Sequence, residues 1–114
     1  MLKVYFKPNC ATCRTALSLL KNNTDEEMEL IEYLVETPSA KEIKEILQML
    51  GMKAEDLVRK KEHLYKEKYE RKKISNDEWI KIMVKNPILI ERPIVVKDGK
   101  ALIGRPPEKI LEIL

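Results

Sequence analysis

The chain has 114 residues, with 22 basic and 19 acidic side chains, a net charge of +3 and 44% hydrophobic residues. That length supports one domain with a single core and no obligatory disulfides or metals. The slight positive balance gives no ground for direct nucleic-acid binding, and no apolar stretch approaches the ~20 residues needed to cross a bilayer.

Met1-Leu2-Lys3 shows no signal-peptide pattern, so a cytoplasmic protein is expected. Leu2-Lys3-Val4-Tyr5-Phe6 is short and rich in β-formers and predicts a strand, which Pro8 and Asn9 end. The only two cysteines follow at once in Cys10-Ala11-Thr12-Cys13-Arg14. From Ala11 to about Asn22, Cys13, Ala16, Leu17 and Leu20 fall on one apolar face of a helix. Cys10 therefore stands at the helix entrance, where free N–H groups and the helix dipole stabilise a thiolate. Cys13 lies one turn further in, either as a buried core residue or as a redox partner able to form a disulfide with Cys10. In a cytosolic chain such a Cys-x-x-Cys pair is more often catalytic or metal-binding than structural.

A loop over Asn22-Asn23-Thr24-Asp25 leads to a second strand from Met28 to Leu34, ended by Thr37-Pro38. Ser39 through Glu42 has capping-box form, Ile43, Ile46, Leu47 and Leu50 make the next apolar face, and Gly51 closes that helix. A short helical turn is predicted over Ala54 to Arg59. Between Arg59 and Lys73 stand eight Lys or Arg against three Glu, in a stretch expected to be irregular or loosely helical. It reads either as a solvated face or as an anion-attracting wall beside a site. His63, the only histidine, is expected in water among these charges. One His and two Cys make no zinc site without a ligand from another chain.

Ser75 through Glu78 repeats the capping box, with Trp79, Ile82 and Met83 as the inward face before Asn86-Pro87. Trp79 is read as a core anchor. Asp98-Gly99 between the runs Ile94-Val95-Val96 and Ala101-Leu102-Ile103 is a strong hairpin signal. Pro106-Pro107-Glu108 opens a last helix with Ile110, Leu111 and Leu114 turned inward.

The order strand, helix, strand, several helices, hairpin, helix describes an α/β chain: a thioredoxin-like mixed sheet of about four strands with flanking helices. Leu34 to Arg92 is too long for one crossover helix. A helical subdomain inserted at roughly residues 39–90 is therefore expected within a single domain, residues 1–114. In that arrangement the segment entering the hairpin lies beside the thiol-bearing helix end. A cis Arg92–Pro93 bond is expected there, aiming Arg92 toward Cys10. Arg105 ends the hairpin and Arg59 opens the basic stretch. Arginines around a thiolate would lower its pKa and hold a tetrahedral oxyanion, because the guanidinium fork stays charged and matches two oxygens. Position alone equally allows surface arginines that share nothing.

Five stretches together resemble a known family. Cys10-Ala11-Thr12-Cys13-Arg14, Tyr33-Leu34-Val35-Glu36-Thr37-Pro38, Leu57-Val58-Arg59-Lys60, Asn86 through Val96 and Gly104-Arg105-Pro106 are similar to the glutaredoxin-linked arsenate reductases and the related Spx-type regulators, in order and over essentially the whole chain. The resemblance implies a thioredoxin-like fold with an inserted helical subdomain. It implies a catalytic cysteine at Cys10 and oxyanion-binding arginines at Arg59, Arg92 and Arg105. It further implies arsenate or a similar oxyanion as substrate, no bound cofactor, and glutathione with glutaredoxin as electron donor; Cys13 leaves open an internal disulfide reduced by thioredoxin instead, and a monomer is the default expectation.

Two positions depart from the reductase pattern. Phe6 stands where these enzymes often have a His, leaving the helix terminus, Arg14 and the arginine cluster to lower the thiol pKa. Cys13 stands where they often have Ser, and a second cysteine is the mark of the regulators, which bind RNA polymerase. Arg105 favours the reductases. Cys13 also leaves open a general thiol-disulfide oxidoreductase in which it is the resolving thiol.

Overall fold

The computed structural model describes residues 1–114, which form two compact units, Met1–Glu36 with Arg92–Leu114, and Thr37–Glu91. The first unit holds a four-stranded sheet: β1 (Leu2–Phe6), β2 (Met28–Glu32), β3 (Ile94–Lys97) and β4 (Lys100–Ile103), in the order β2-β1-β3-β4. β1 pairs parallel with β2 and antiparallel with β3, and β3 pairs antiparallel with β4. This is the mixed sheet expected from the sequence. β1 is interior, which is why Leu2, Val4 and Tyr5 are all buried and its run is nearly continuous in apolar residues.

The parallel β1–β2 pair needs a crossover, and α1 (Ala11–Asn23) supplies it. Its buried face is Cys13, Ala16 and Leu20. Ala16 and Leu20 join Leu2, Val4, Val95 and Ile110 in the core of this unit. Asp98 and Gly99 take φ of 50° and 78°, the two positive values of a type I′ hairpin turn. That turn locks the register Ile94↔Ile103, Val95↔Leu102 and Lys97↔Lys100. The register carries past the strand ends: Gly104 N–H donates to the Pro93 carbonyl at 2.8 Å, so Arg92 and Arg105 face each other.

Gly104 is required where it stands. A Cβ there would lie 2.8 Å from Ile110 Cγ2 and 2.8 Å from Pro93 Cγ. Ile110 could turn aside, but the proline ring could not. Gly104→Ala is expected to destabilise the chain by about 1–3 kcal/mol, read as a lower urea midpoint with an unchanged slope. An unmoved midpoint would show that this strand end yields freely.

Three local expectations are corrected. The second strand ends at Glu32, not Leu34, because the Glu32 carbonyl accepts from Val35 and Glu36 N–H and turns the chain. The closing segment Pro107–Ile113 is a 3-10 helix, with three residues per turn instead of 3.6. That period sets Ile110 and Ile113 on one side, Ile110 in the core and Ile113 half-buried against it. Leu111 and Leu114 are correspondingly 39% and 40% exposed, not turned inward.

The second unit is helical: α2 (Ala40–Leu50), α3 (Ala54–Leu57), α4 (His63–Lys68), α5 (Asn76–Lys85) and a 3-10 turn at Pro87–Leu89. Ser39 and Ser75 cap α2 and α5, each hydroxyl accepting from the N–H three residues on, at 3.1 and 3.2 Å. Gly51 ends α2 with φ 68°. On α5 the buried residues are Trp79, Ile80 and Met83, so Ile80 takes the place expected of Ile82. Trp79 is 2% exposed and packs against the rings of Tyr65 and Tyr69, the first of which comes from α4 in the basic stretch. No helix of the chain is long and apolar enough to cross a membrane.

Candidate functional site

β1 delivers the chain to Cys10, which is the N-cap of α1. Its sulfur accepts from Cys13 N–H at 3.4 Å, doing for α1 what the serine hydroxyls do for α2 and α5. Cys10 is 8% exposed and Cys13 fully buried, and both are free thiols.

Two arginines meet this sulfur. Arg92, on the cis Arg92–Pro93 bond that leads into β3, is 4% exposed and stands near enough to the Cys10 sulfur to favour its ionised form. Its Nη1 also donates to the Tyr33 hydroxyl at 3.5 Å, and its Nε has no partner. Arg105 reaches from the end of β4. Its Nε donates to the Arg92 carbonyl at 2.8 Å, its Nη1 to Thr12 Oγ1 at 3.4 Å and its Nη2 to Cys10 Sγ at 3.8 Å.

The electrostatics separate the two thiols. Burial pushes Cys10 up, but the hydrogen bonds from the Cys13 side chain and backbone, the one from Arg92 and the charge of Arg105 outweigh it and bring Cys10 down to about 7. Burial dominates at Cys13 and, with the adjacent Cys10 charge, holds it up at about 12. As the pH rises through about 7 Cys10 ionises while the adjacent Cys13 stays a protonated thiol. Because only the thiolate is nucleophilic, alkylation of Cys10 by iodoacetamide is expected to rise with a midpoint near pH 7. A midpoint in the ordinary range above 8 would contradict that electrostatic picture.

Of the residues anticipated from sequence, Cys10, Cys13, Arg92, Pro93 and Arg105 lie together in the first unit. Arg14 is exposed and donates to the Pro8 carbonyl at 3.2 Å. Arg59 belongs to the second unit, with Nε 3.5 Å from Glu62 and Nη1 3.9 Å from Glu91. His63 pairs with Glu67 at 2.7 Å and its side chain is 84% exposed, the solvated position expected of it. Two contributors were missed, Tyr33 and Thr12. The one signal for Tyr33 is its place at the end of the second apolar run, where the parallel pairing of β2 with β1 brings both carboxyl ends to one edge; its partner Arg92 shows only in the fold.

A buried, unpartnered guanidinium nitrogen beside a thiolate is a place for an oxyanion and a nucleophile in one site. Comparison with known proteins gives the family. The ArsC family model matches residues 5–113. The chain is 46% identical to the uncharacterised YfgD of Escherichia coli K12, covering 99% of this chain and 96% of that one. It is 37% identical to an arsenate reductase of Neisseria meningitidis serogroup A, over 99% and 97% of the two chains. The solved arsenate reductase of Vibrio cholerae superposes with a TM-score of 0.92 at 42% identity, covering 99% and 97%. The chain therefore belongs to the ArsC family and has its thioredoxin-like fold.

Proposed function

We propose that this chain is an arsenate reductase in which the Cys10 thiolate attacks arsenate held by Arg92 and Arg105. The observation that carries the reading is the convergence of both guanidinium groups on a sulfur already held near pKa 7. The reductases among its relatives supply the substrate. Arg59 is assigned to the oxyanion on the family resemblance alone. Arg105 at the thiol supports an enzyme over a regulator of the Spx type.

Cys10 forms a sulfur–arsenic bond and one arsenate oxygen leaves as hydroxide or water. A glutathione thiolate then adds to arsenic and displaces a second oxygen. A glutaredoxin thiolate takes the glutathione sulfur, the bonding pair stays on arsenic, and As(V) becomes As(III). Hydrolysis of the remaining bond frees arsenite and Cys10.

Cys13 supports a second route to the same products. It lies one helical turn from Cys10, its backbone N–H donating to the Cys10 sulfur at 3.4 Å. Once Cys10 is bound to arsenic its charge no longer opposes ionisation of Cys13, and burial, the larger cause of the raised Cys13 value, is the barrier this route has to overcome. The Cys13 thiolate can then attack the Cys10 sulfur, leaving the pair on arsenic as arsenite departs and a Cys10–Cys13 disulfide forms. Thioredoxin would reduce that disulfide.

Arsenate-dependent NADPH oxidation, coupled through glutathione and glutaredoxin or through thioredoxin and its reductase, tests both routes. Turnover is expected with at least one donor, and its absence with both would refute the function. Cys13→Ser is expected to keep the glutathione route and lose the thioredoxin route. Unaltered thioredoxin-driven turnover in that variant would remove Cys13 from the chemistry.

A further inference from the structure

We infer that Tyr33 is a positioning residue of this site, its phenol hydroxyl holding the guanidinium of Arg92 in the plane that faces Cys10. The inference rests on the proposed reading of Arg92 as an oxyanion ligand. Tyr33 is fully buried just after β2, and its hydroxyl accepts from Arg92 Nη1 at 3.5 Å. Arg92 is itself 4% exposed, so water does little to orient it.

A guanidinium is planar, and two anchored directions fix its orientation. Here one direction is the hydrogen bond to the Tyr33 hydroxyl, and the other is the attraction of the Cys10 charge. The chemistry of the anchor matters. A carboxylate would orient the arginine and also cancel its charge, as Glu62 and Glu91 do in part for Arg59. A neutral phenol oxygen orients Arg92 while leaving the positive charge for the thiolate and for an incoming anion. The Nε of Arg92, buried without a partner, is the donor that this orientation leaves available.

The test is Y33F, which keeps the buried ring and removes only the oxygen. The iodoacetamide midpoint of Cys10 is expected to rise by at least about half a pH unit as Arg92 loosens. The arsenate concentration that half-protects Cys10 from alkylation is expected to rise roughly tenfold, the loss of one charge-assisted hydrogen bond. Both changes should largely vanish when Y33F is made on an R92K background, because the hydroxyl then has no fork to hold. Unchanged midpoint and protection in Y33F would overturn the inference. So would equal shifts with Lys at 92, or loss of a cooperative melt, either of which would give the hydroxyl a structural task. The alkylation midpoint needs no arsenate. If wild type were neither protected by arsenate nor able to reduce it, the reductase reading would fail while the midpoint still judged Tyr33.

Discussion

Cys10→Ser is expected to lower arsenate turnover by at least about a thousandfold while leaving the fold intact. The loss follows from the nucleophile. A serine hydroxyl is not ionised near neutrality, and the two arginines cannot bring it into that range. The retained fold follows from the cap. α1 begins on the Cys10 sulfur accepting from Cys13 N–H, and α2 and α5 begin on serine hydroxyls in the same relation. Serine is among the preferred residues at that position, so thermal unfolding of Cys10→Ser should stay within a few degrees of wild type. Substantial activity in this folded variant would remove Cys10 from the chemistry.

Arg92→Ala is expected to lower kcat/KM for arsenate by about a hundredfold to a thousandfold. It removes a charged donor that acts on the thiolate and, in the proposed mechanism, on the oxyanion. Its Cys10 alkylation midpoint should move upward from about 7, since one of the groups holding the thiol down is gone. At a fixed pH near 7 a smaller fraction of Cys10 is then ionised, so the activity lost should be partly regained at higher pH. Arg92→Lys keeps the charge but not the fork, and should recover only part of the loss. Wild-type kinetics in Arg92→Ala would contradict its assignment to the oxyanion.

Much of this site is legible in the sequence because its determinants are local. The short β-forming run before Pro8-Asn9 and the apolar spacing after it place Cys10 at a helix entrance. Asp98-Gly99 specifies one turn geometry, and that turn fixes which residues oppose each other beyond the strand ends. Arg92 and Arg105, thirteen positions apart, meet for that reason. The separation of the thiols was also readable, since Cys13 falls on the face that carries Ala16 and Leu20.

What was not legible depends on contacts between distant segments. Tyr33 reads as a strand residue until the turn at Glu32 shows that β2 has ended. Its role needs the partner Arg92, 59 residues away. Thr12 looks like an ordinary first-turn residue until Arg105 arrives from the hairpin. The closing segment misled for a different reason. Ile110, Leu111, Ile113 and Leu114 satisfy both a helical and a 3-10 period, and only packing against the sheet selects the second. The value of the Cys10 pKa likewise could not be read from position alone, because burial and the hydrogen-bonding groups act in opposite directions.

The most direct measurement is arsenic X-ray absorption on wild-type protein mixed with arsenate in the absence of any thiol donor, with Cys10→Ser as control. Attack by Cys10 places one sulfur among the nearest neighbours of arsenic in wild type and none in the variant. Arsenic surrounded by oxygen alone in both proteins would contradict nucleophilic attack by Cys10.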